Sequence, residues 1–236
     1  MTFSADYSPA VQDYLRAIYL IARREPIDGQ VTTSQLAARL GVRPASVTAM
    51  LQKMAALEPA LIDYHKSYGA QLTPAGERAA LGIVRCHRLL EMFLHEKLGY
   101  GWDEVHEEAD RLEHVISDEL TERLSAALGH PTRDPHGHTI PAADLSLEPA
   151  SVQPLRDLAP GRPAVIRQVR DEDPALLRRF EALGLRPGVG VTVVDAPPDG
   201  PLQLRVDARM IALEAAEAGQ IAVECNERLL DTRAAS

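Results

Sequence analysis

Cysteine is nearly absent. The chain of 236 residues holds two, Cys86 and Cys225, far apart and without C-x-x-C spacing, which excludes a disulfide framework and a thiolate zinc site. No apolar run approaches the roughly 18 residues that a membrane-spanning helix needs, so no membrane association is expected. Met1 to Pro9 lack the basic-then-apolar character of a secretory signal, and a cytoplasmic address is the expectation. A P-loop, a G-x-S-x-G element, an internal repeat and a low-complexity tract are also missing. So is any excess of positive charge: the formal net charge is −9.

That total conceals segregation. Residues 1–78 hold 8 Lys/Arg against 7 Asp/Glu, residues 79–140 hold 6 against 12, and residues 141–236 hold 11 against 15. Seven of the eight histidines, His87, His95, His106, His114, His130, His136 and His138, fall in the acidic middle. Acid and imidazole enriched together suit a divalent cation, because both present lone pairs near neutral pH. A solvated helical surface is the alternative.

Ser8-Pro9 offers a cap and a first-turn proline, after which Val11, Leu15, Ile18, Tyr19 and Ala22 recur at helical spacing. Thr32 and Gln35 form a capping box for a short helix that Gly41 ends, and a second helix begins near Pro44 and runs to about Leu57. TTSQLAARLGVRPASVTAMLQKM is thus a helix-turn-helix pattern. Arg43, Ala45, Ser46, Thr48, Ala49 and Gln52 lie on the outward face of its second helix, placed to meet bases and phosphates. Two short strand-like runs flank Lys66-Ser67-Tyr68-Gly69 and read as a wing, with Lys66 positioned for a backbone phosphate and Tyr68 at the tip. A long helix follows from Thr73-Pro74 to Leu98, then two shorter ones, the second capped by Ser117. His130 to Pro154 is proline-rich and aperiodic and reads as a linker. Beyond it, five β-type runs between Ala164 and Glu224, interrupted by a helix-like stretch from Pro174 to Leu183, suggest a small barrel.

The sharpest chemical signal is His106-Glu-Glu-Ala-Asp110-Arg-Leu-Glu113-His114, whose steps of four, three and one project the side chains from adjoining parts of one helix face. His87 and Glu91 repeat the i, i+4 relation on the preceding helix. Enzyme patterns fail on these residues. H-E-x-x-H would need a histidine where Asp110 stands, and the di-iron Glu-x-x-His spacing is replaced by adjacent Glu113 and His114. Asp13, alone, reads as a first-turn acid favoured by the helix dipole.

YLRAIYLI, the helix-turn-helix, the wing, CHRLLEMFL, HEEADRLEHVISDEL, DPHGHTIP and the terminal β module together resemble the diphtheria toxin repressor family of iron and manganese regulators, over essentially the entire chain. The D-x-x-E-H element followed by V-x-S-D-E is the most specific part. The resemblance implies a mainly α chain with β: a winged helix-turn-helix over 1–76, a helical metal-binding and dimerisation domain over 77–141, a linker over 142–160 and a small SH3-like barrel over 161–236. It implies a non-enzymatic, homodimeric repressor of manganese or iron uptake genes that binds near-palindromic double-stranded operator DNA when metal is bound. One metal site would comprise Asp13, Asp110, Glu113 and His114, and a second His87, Glu91 and His106, with Glu172 and Asp173 as candidates from the C-terminal domain. Carboxylates at Asp13 and Asp110, where the iron-responsive branch carries sulfur, favour Mn(II) ahead of Fe(II). The compact manganese regulators have a glutamate where Arg16 stands here, so their two-ion arrangement does not follow.

Overall fold

An apolar stripe at every third or fourth position makes Pro9–Arg24 the first helix, α1, and buries Val11, Leu15, Ile18 and Tyr19. The computed structural model describes residues 7–24, 30–148, 151–197 and 200–225. Within it the chain forms two compact units, Met1–Leu90 with Ala109–His130 and Ile140–Leu147, and Glu91–Glu108 with Pro131–Thr139 and Glu148–Ser236. No described helix is long and apolar enough to cross a membrane.

In the first unit, Thr32 caps α2 (Thr33–Leu40) through the Gln35 backbone amide, and the Gln35 side chain accepts from the Thr32 amide in return. Gly41 ends α2 at φ 64° and α3 (Pro44–Ala55) follows, with Pro44 in its first turn. Leu36, Val47, Leu51 and Met54 anchor the pair in a core shared with Leu15 and Ile18. β1 (Ile62–His65) and β2 (Gly69–Leu72) pair antiparallel from Ile62 against Leu72 to His65 against Gly69 and form the wing, where the His65 and Tyr68 rings lie 4.7 Å apart. Then come α4 (Pro74–Leu98), α5 (Val105–Leu112) and α6 (Asp118–Ala127), the last capped by Ser117 as its sequence predicts.

The second unit is built on a six-stranded antiparallel sheet of order β3-β8-β4-β5-β6-β7, from β3 (Gln153–Pro154), β4 (Pro163–Val169), β5 (Gly190–Asp195), β6 (Leu202–Val206), β7 (Arg209–Leu213) and β8 (Ile221–Cys225). α7 (Pro174–Leu183) supplies Leu177 and Phe180 to its core, and α8 (Ala215–Ala218) supplies Ala218. Both cysteines are free; Cys86 is buried, and burial pushes its thiol up to about 11.

Two features differ from the sequence reading. The helical middle contributes to both units, since the division falls within α4 and again within α5. The stretch expected as a linker is largely built in: Leu145 joins the core of the first unit, while β3 pairs with β8 and Leu155 and Leu158 are buried in the second. Apolar residues spaced without period still bury their surface when the chain turns to suit them.

At Gly41 nothing lies within 4 Å of where a Cβ would project, so only the left-handed backbone opposes a side chain. Gly41→Ala is expected to cost about 1 kcal/mol, the strain of an L-residue in that region, read as a lower denaturant midpoint at unchanged slope. An unaltered midpoint would show that the turn relaxes without penalty.

Candidate metal centre

Among the described residues, metal-ligating side chains cluster within each unit. In the first, α1 presents Gln12, Asp13 and Arg16, α4 presents His87, and α5 with the turn after it presents Asp110, Glu113 and His114. Asp13, Glu113 and His114 each bring a ligand atom within 4.8 Å of the others. His114 Nε2 lies 3.1 Å from Asp13 Oδ1 and 3.9 Å from Glu113 Oε1.

Gln12 decides which His114 nitrogen is available. The buried Gln12 amide donates from Nε2 to the Tyr7 carbonyl at 2.9 Å, so its Oε1 accepts from His114 Nδ1–H, also at 2.9 Å. The proton sits on Nδ1, and the Nε2 lone pair faces Asp13 and Glu113, as in a metal-ligating histidine oriented by an outer partner. Nothing in the sequence beyond its place beside Asp13 marks Gln12 for this.

Arg16 is the resident cation of the cluster. Its Nη1 lies 2.5 Å from Asp110 Oδ1 and 3.3 Å from Glu113 Oε1, and its Nη2 donates to His87 Nε2 at 2.9 Å. His87 is then the Nδ1–H tautomer and donates to Glu113 Oε2 at 2.7 Å. Even so, negative charge is in surplus. Burial raises the Asp13 pKa above the usual carboxylate range; Glu113 and Asp110 push it the same way, against His114 and Arg16. Mixed carboxylate and imidazole donors, with an oriented lone pair and too little positive charge, fit one divalent cation at Asp13, Glu113 and His114.

Of the residues expected together in the first site, the structure brings Asp13, Glu113 and His114 to one point and ties Asp110 to Arg16. His87, expected with Glu91 and His106, makes its hydrogen bonds to Glu113 and Arg16 in the first unit. Glu91 and His106 belong to the second cluster, where His106 Nδ1 is 3.0 Å from Glu91 Oε1 and 3.6 Å from Asp171 Oδ2. The carboxylate that the C-terminal segment brings beside His106 is Asp171, whereas the sequence expectation falls on Glu172 and Asp173. Asp173 is instead the N-cap of α7, its Oδ1 accepting from the Ala175 and Leu176 amides at 2.9 and 3.1 Å, and Glu172 is exposed.

Asp134, His136 and His138 join this second cluster and are absent from the sequence-based ligand set. Burial alone would lower the His136 pKa, but Glu91, Asp134 and Asp171 outweigh it and push it up to about 10. Burial would raise the Asp171 carboxyl, yet His138, His106 and His136 hold it well below the usual carboxylate range, against Glu91. The second cluster, too, is a place for positive charge.

Of the residues expected to face DNA, Arg43, Ala45, Ser46, Ala49 and Gln52 are exposed, Thr48 is half-buried with its hydroxyl donating to the Pro44 carbonyl at 3.2 Å, and Lys66 and Tyr68 stand exposed at the wing tip.

Comparison with known proteins places these features in context. Residues 6–70 match the description "Iron dependent repressor, N-terminal DNA binding domain", residues 73–142 "Iron dependent repressor, metal binding and dimerisation domain", and residues 153–225 "FeoA domain". The iron-dependent repressor IdeR of Mycobacterium leprae is 36% identical over 54% of this chain, a match that spans 60% of that protein's length. The diphtheria toxin repressor of Corynebacterium jeikeium is 28% identical over 83% of this chain and 88% of its own. A solved manganese-dependent transcriptional repressor in complex with manganese is 37% identical, covers 92% of this chain and all of its own, and superposes with a TM-score of 0.85.

Replacing Gln12 by Leu removes the acceptor that orients His114 and keeps a similar volume. Gln12→Leu is expected to weaken Mn(II) binding by ~10- to 100-fold, the usual effect of losing an outer-shell partner, measured by competition with a chelating indicator. Unchanged affinity would show that His114 is oriented without it.

Proposed function

The chain belongs to the iron-dependent repressor family, its DNA-binding, metal-binding and dimerisation, and FeoA modules following one another along the sequence, and we propose that it is a metal-dependent transcriptional repressor. In this reading it binds near-palindromic operator DNA as a homodimer and controls manganese or iron uptake genes. The observation that carries the proposal is the 3.1 Å approach of His114 to Asp13. Asp13 sits on the helix that packs against α2, and His114 on the turn after α5, so one ligand set joins the DNA-binding part of the unit to its metal-binding helices.

A divalent ion bound there supplies concentrated positive charge that the residues lack. Asp13, Glu113 and His114 would hold it, with Asp110 as the further ligand the sequence suggests. Glu91, His106 and Asp171 would form a second site. Without added cation, Asp13, Asp110 and Glu113 repel one another across the joint between α1 and α5, offset in part by Arg16 and His114. Binding therefore favours the arrangement in which these elements stay together, and any affinity of that arrangement for DNA rises by the same linkage.

Mn(II) is proposed ahead of Fe(II), because every proposed ligand is a carboxylate or imidazole and none is sulfur. At the DNA, Arg43, Ser46, Thr48 and Gln52 would meet bases or phosphates, Ala45 and Ala49 thymine methyls, and Lys66 and Tyr68 the backbone beside the wing.

With chelator-stripped full-length protein and duplexes from the promoters of manganese and iron transport genes of its own genome, fluorescence anisotropy is expected to show tight binding only when Mn(II) or Fe(II) is added. Asp13→Ala and Asp110→Ala should each weaken the metal-loaded complex. Lys66→Ala should lower affinity for all duplexes alike and reduce the salt slope by about 1. Equal binding with and without metal would sink the linkage and leave a metal-independent winged-helix protein.

A further inference from the structure

The N-terminal segment is short of positive charge for a part that meets DNA. Residues 1–78 hold 8 Lys/Arg against 7 Asp/Glu, and the wing from Ile62 to Leu72 has Lys66 as its one permanent cation, set against Asp63. A surface that grips phosphates with so little net charge needs neutral donors as well, since backbone amides and polar side chains also bond to phosphate oxygens. The wing tip holds one donor that the reading above does not use, His65.

Its surroundings fix that donor in place. β2 pairs on one side with β1 and on the other with Val31, whose amide and carbonyl exchange hydrogen bonds with Ala70, both at 2.8 Å. Gly69, at φ 104°, runs so close to this contact that a Cβ would stand 2.5 Å from the Val31 carbonyl oxygen. The Tyr68 amide donates to the His65 carbonyl at 3.1 Å and closes the turn. Inside the turn the Ser67 amide donates to His65 Nδ1 at 3.3 Å. A nitrogen that accepts carries no proton, so the neutral ring is the Nε2–H tautomer. The Tyr68 ring lies beside the imidazole, centroids 4.7 Å apart and planes inclined by 32°, and limits its rotation. Nε2, on the far edge of the ring, meets no hydrogen-bond partner among the described residues, and His65 is exposed.

We propose that His65 is a DNA-contacting residue of the wing, its neutral Nε2–H donating to a phosphate oxygen beside the phosphate that Lys66 neutralises. The inference rests on the DNA-binding reading. The Ser67 amide and the Tyr68 ring hold the imidazole before DNA arrives, so the bond forms at little ordering cost. Lys66 and His65 then differ in kind. An ammonium displaces a condensed counterion, and its contribution fades as salt rises; a neutral donor displaces none, and its contribution persists.

The salt dependence of binding tests this. Full-length protein loaded with Mn(II) is titrated by fluorescence anisotropy with duplexes from the promoters of manganese and iron transport genes of its own genome, over a series of salt concentrations, above the pH range in which histidine titrates. Three variants separate the donor from the turn. His65→Ala removes both; His65→Asn keeps an oxygen near the Nδ1 position for the Ser67 amide; His65→Gln carries an amide N–H to the Nε2 position. His65→Ala and His65→Asn are expected to bind about 10-fold more weakly, the worth of a hydrogen bond to a charged group, with the salt slope of the unaltered protein. His65→Gln should recover most of the loss, and Lys66→Ala should instead lower the slope by about 1. Undiminished binding by His65→Ala overturns the proposal, as does recovery by His65→Asn rather than His65→Gln, which marks a turn-former. A reduced salt slope in His65→Ala also overturns it, because the residue then acts as a cation. In each of these cases the DNA-binding reading stands; unaltered protein that binds none of the duplexes rejects that reading and this inference with it.

Discussion

Three carboxylates and two imidazoles share one partly buried space between α1 and the end of α5, and only positive charge lets them do so. Arg16 supplies some of it, its guanidinium reaching Asp110, Glu113 and His87 together. Its planar fork suits this task, since it donates in several fixed directions and keeps its charge. At Asp13, on the other side, burial, Glu113 and Asp110 still prevail against His114 and Arg16 and disfavour ionisation. The shortage is local, and it lies at the residue of α1 that faces His114.

The helix-turn-helix and its wing were legible in the sequence because their signals are local. A capping box, a left-handed glycine, a first-turn proline and a buried face at helical spacing act within a few residues of where they are read. The clustering of Asp110, Glu113 and His114 was legible for the same reason, since steps of three and four residues bring them to one side of α5 and the turn after it before any tertiary contact exists. Gln12 was not. An amide on a helix shows nothing of its partner until the helix docks, and its buried position is a property of the packed unit.

The second cluster shows where periodicity runs out. Histidines two apart in an aperiodic, proline-rich segment read as linker, because loops have no repeat from which to infer a face. What sets their direction is Asp134 accepting the His136 and His138 amides, an Asx-type turn. The shift from Glu172 and Asp173 to Asp171 has a physical reason that the sequence also contained. Asp173 stands directly before Pro174, an N-cap followed by a first-turn proline, and a carboxylate occupied by two helix amides is poorly placed to serve a cation. Asp171, two residues earlier, escapes that duty and meets His106.

Arg16 also bears on how the first cluster is filled. A glutamate there would extend the carboxylate set and invite a second ion. A guanidinium does the reverse, because it already neutralises Asp110 and would repel a second cation placed between Asp110 and His87. Like-charge repulsion at a few ångströms is worth several kcal/mol when water is partly excluded. The geometry around Arg16 therefore argues for a single divalent ion at Asp13, Glu113 and His114, with the arginine as its permanent counterpart on the other face of Glu113. For Asp110 to ligate that ion as well, it would have to share or release its bond to Arg16, and the affinity of the site for metal would carry the cost of that exchange.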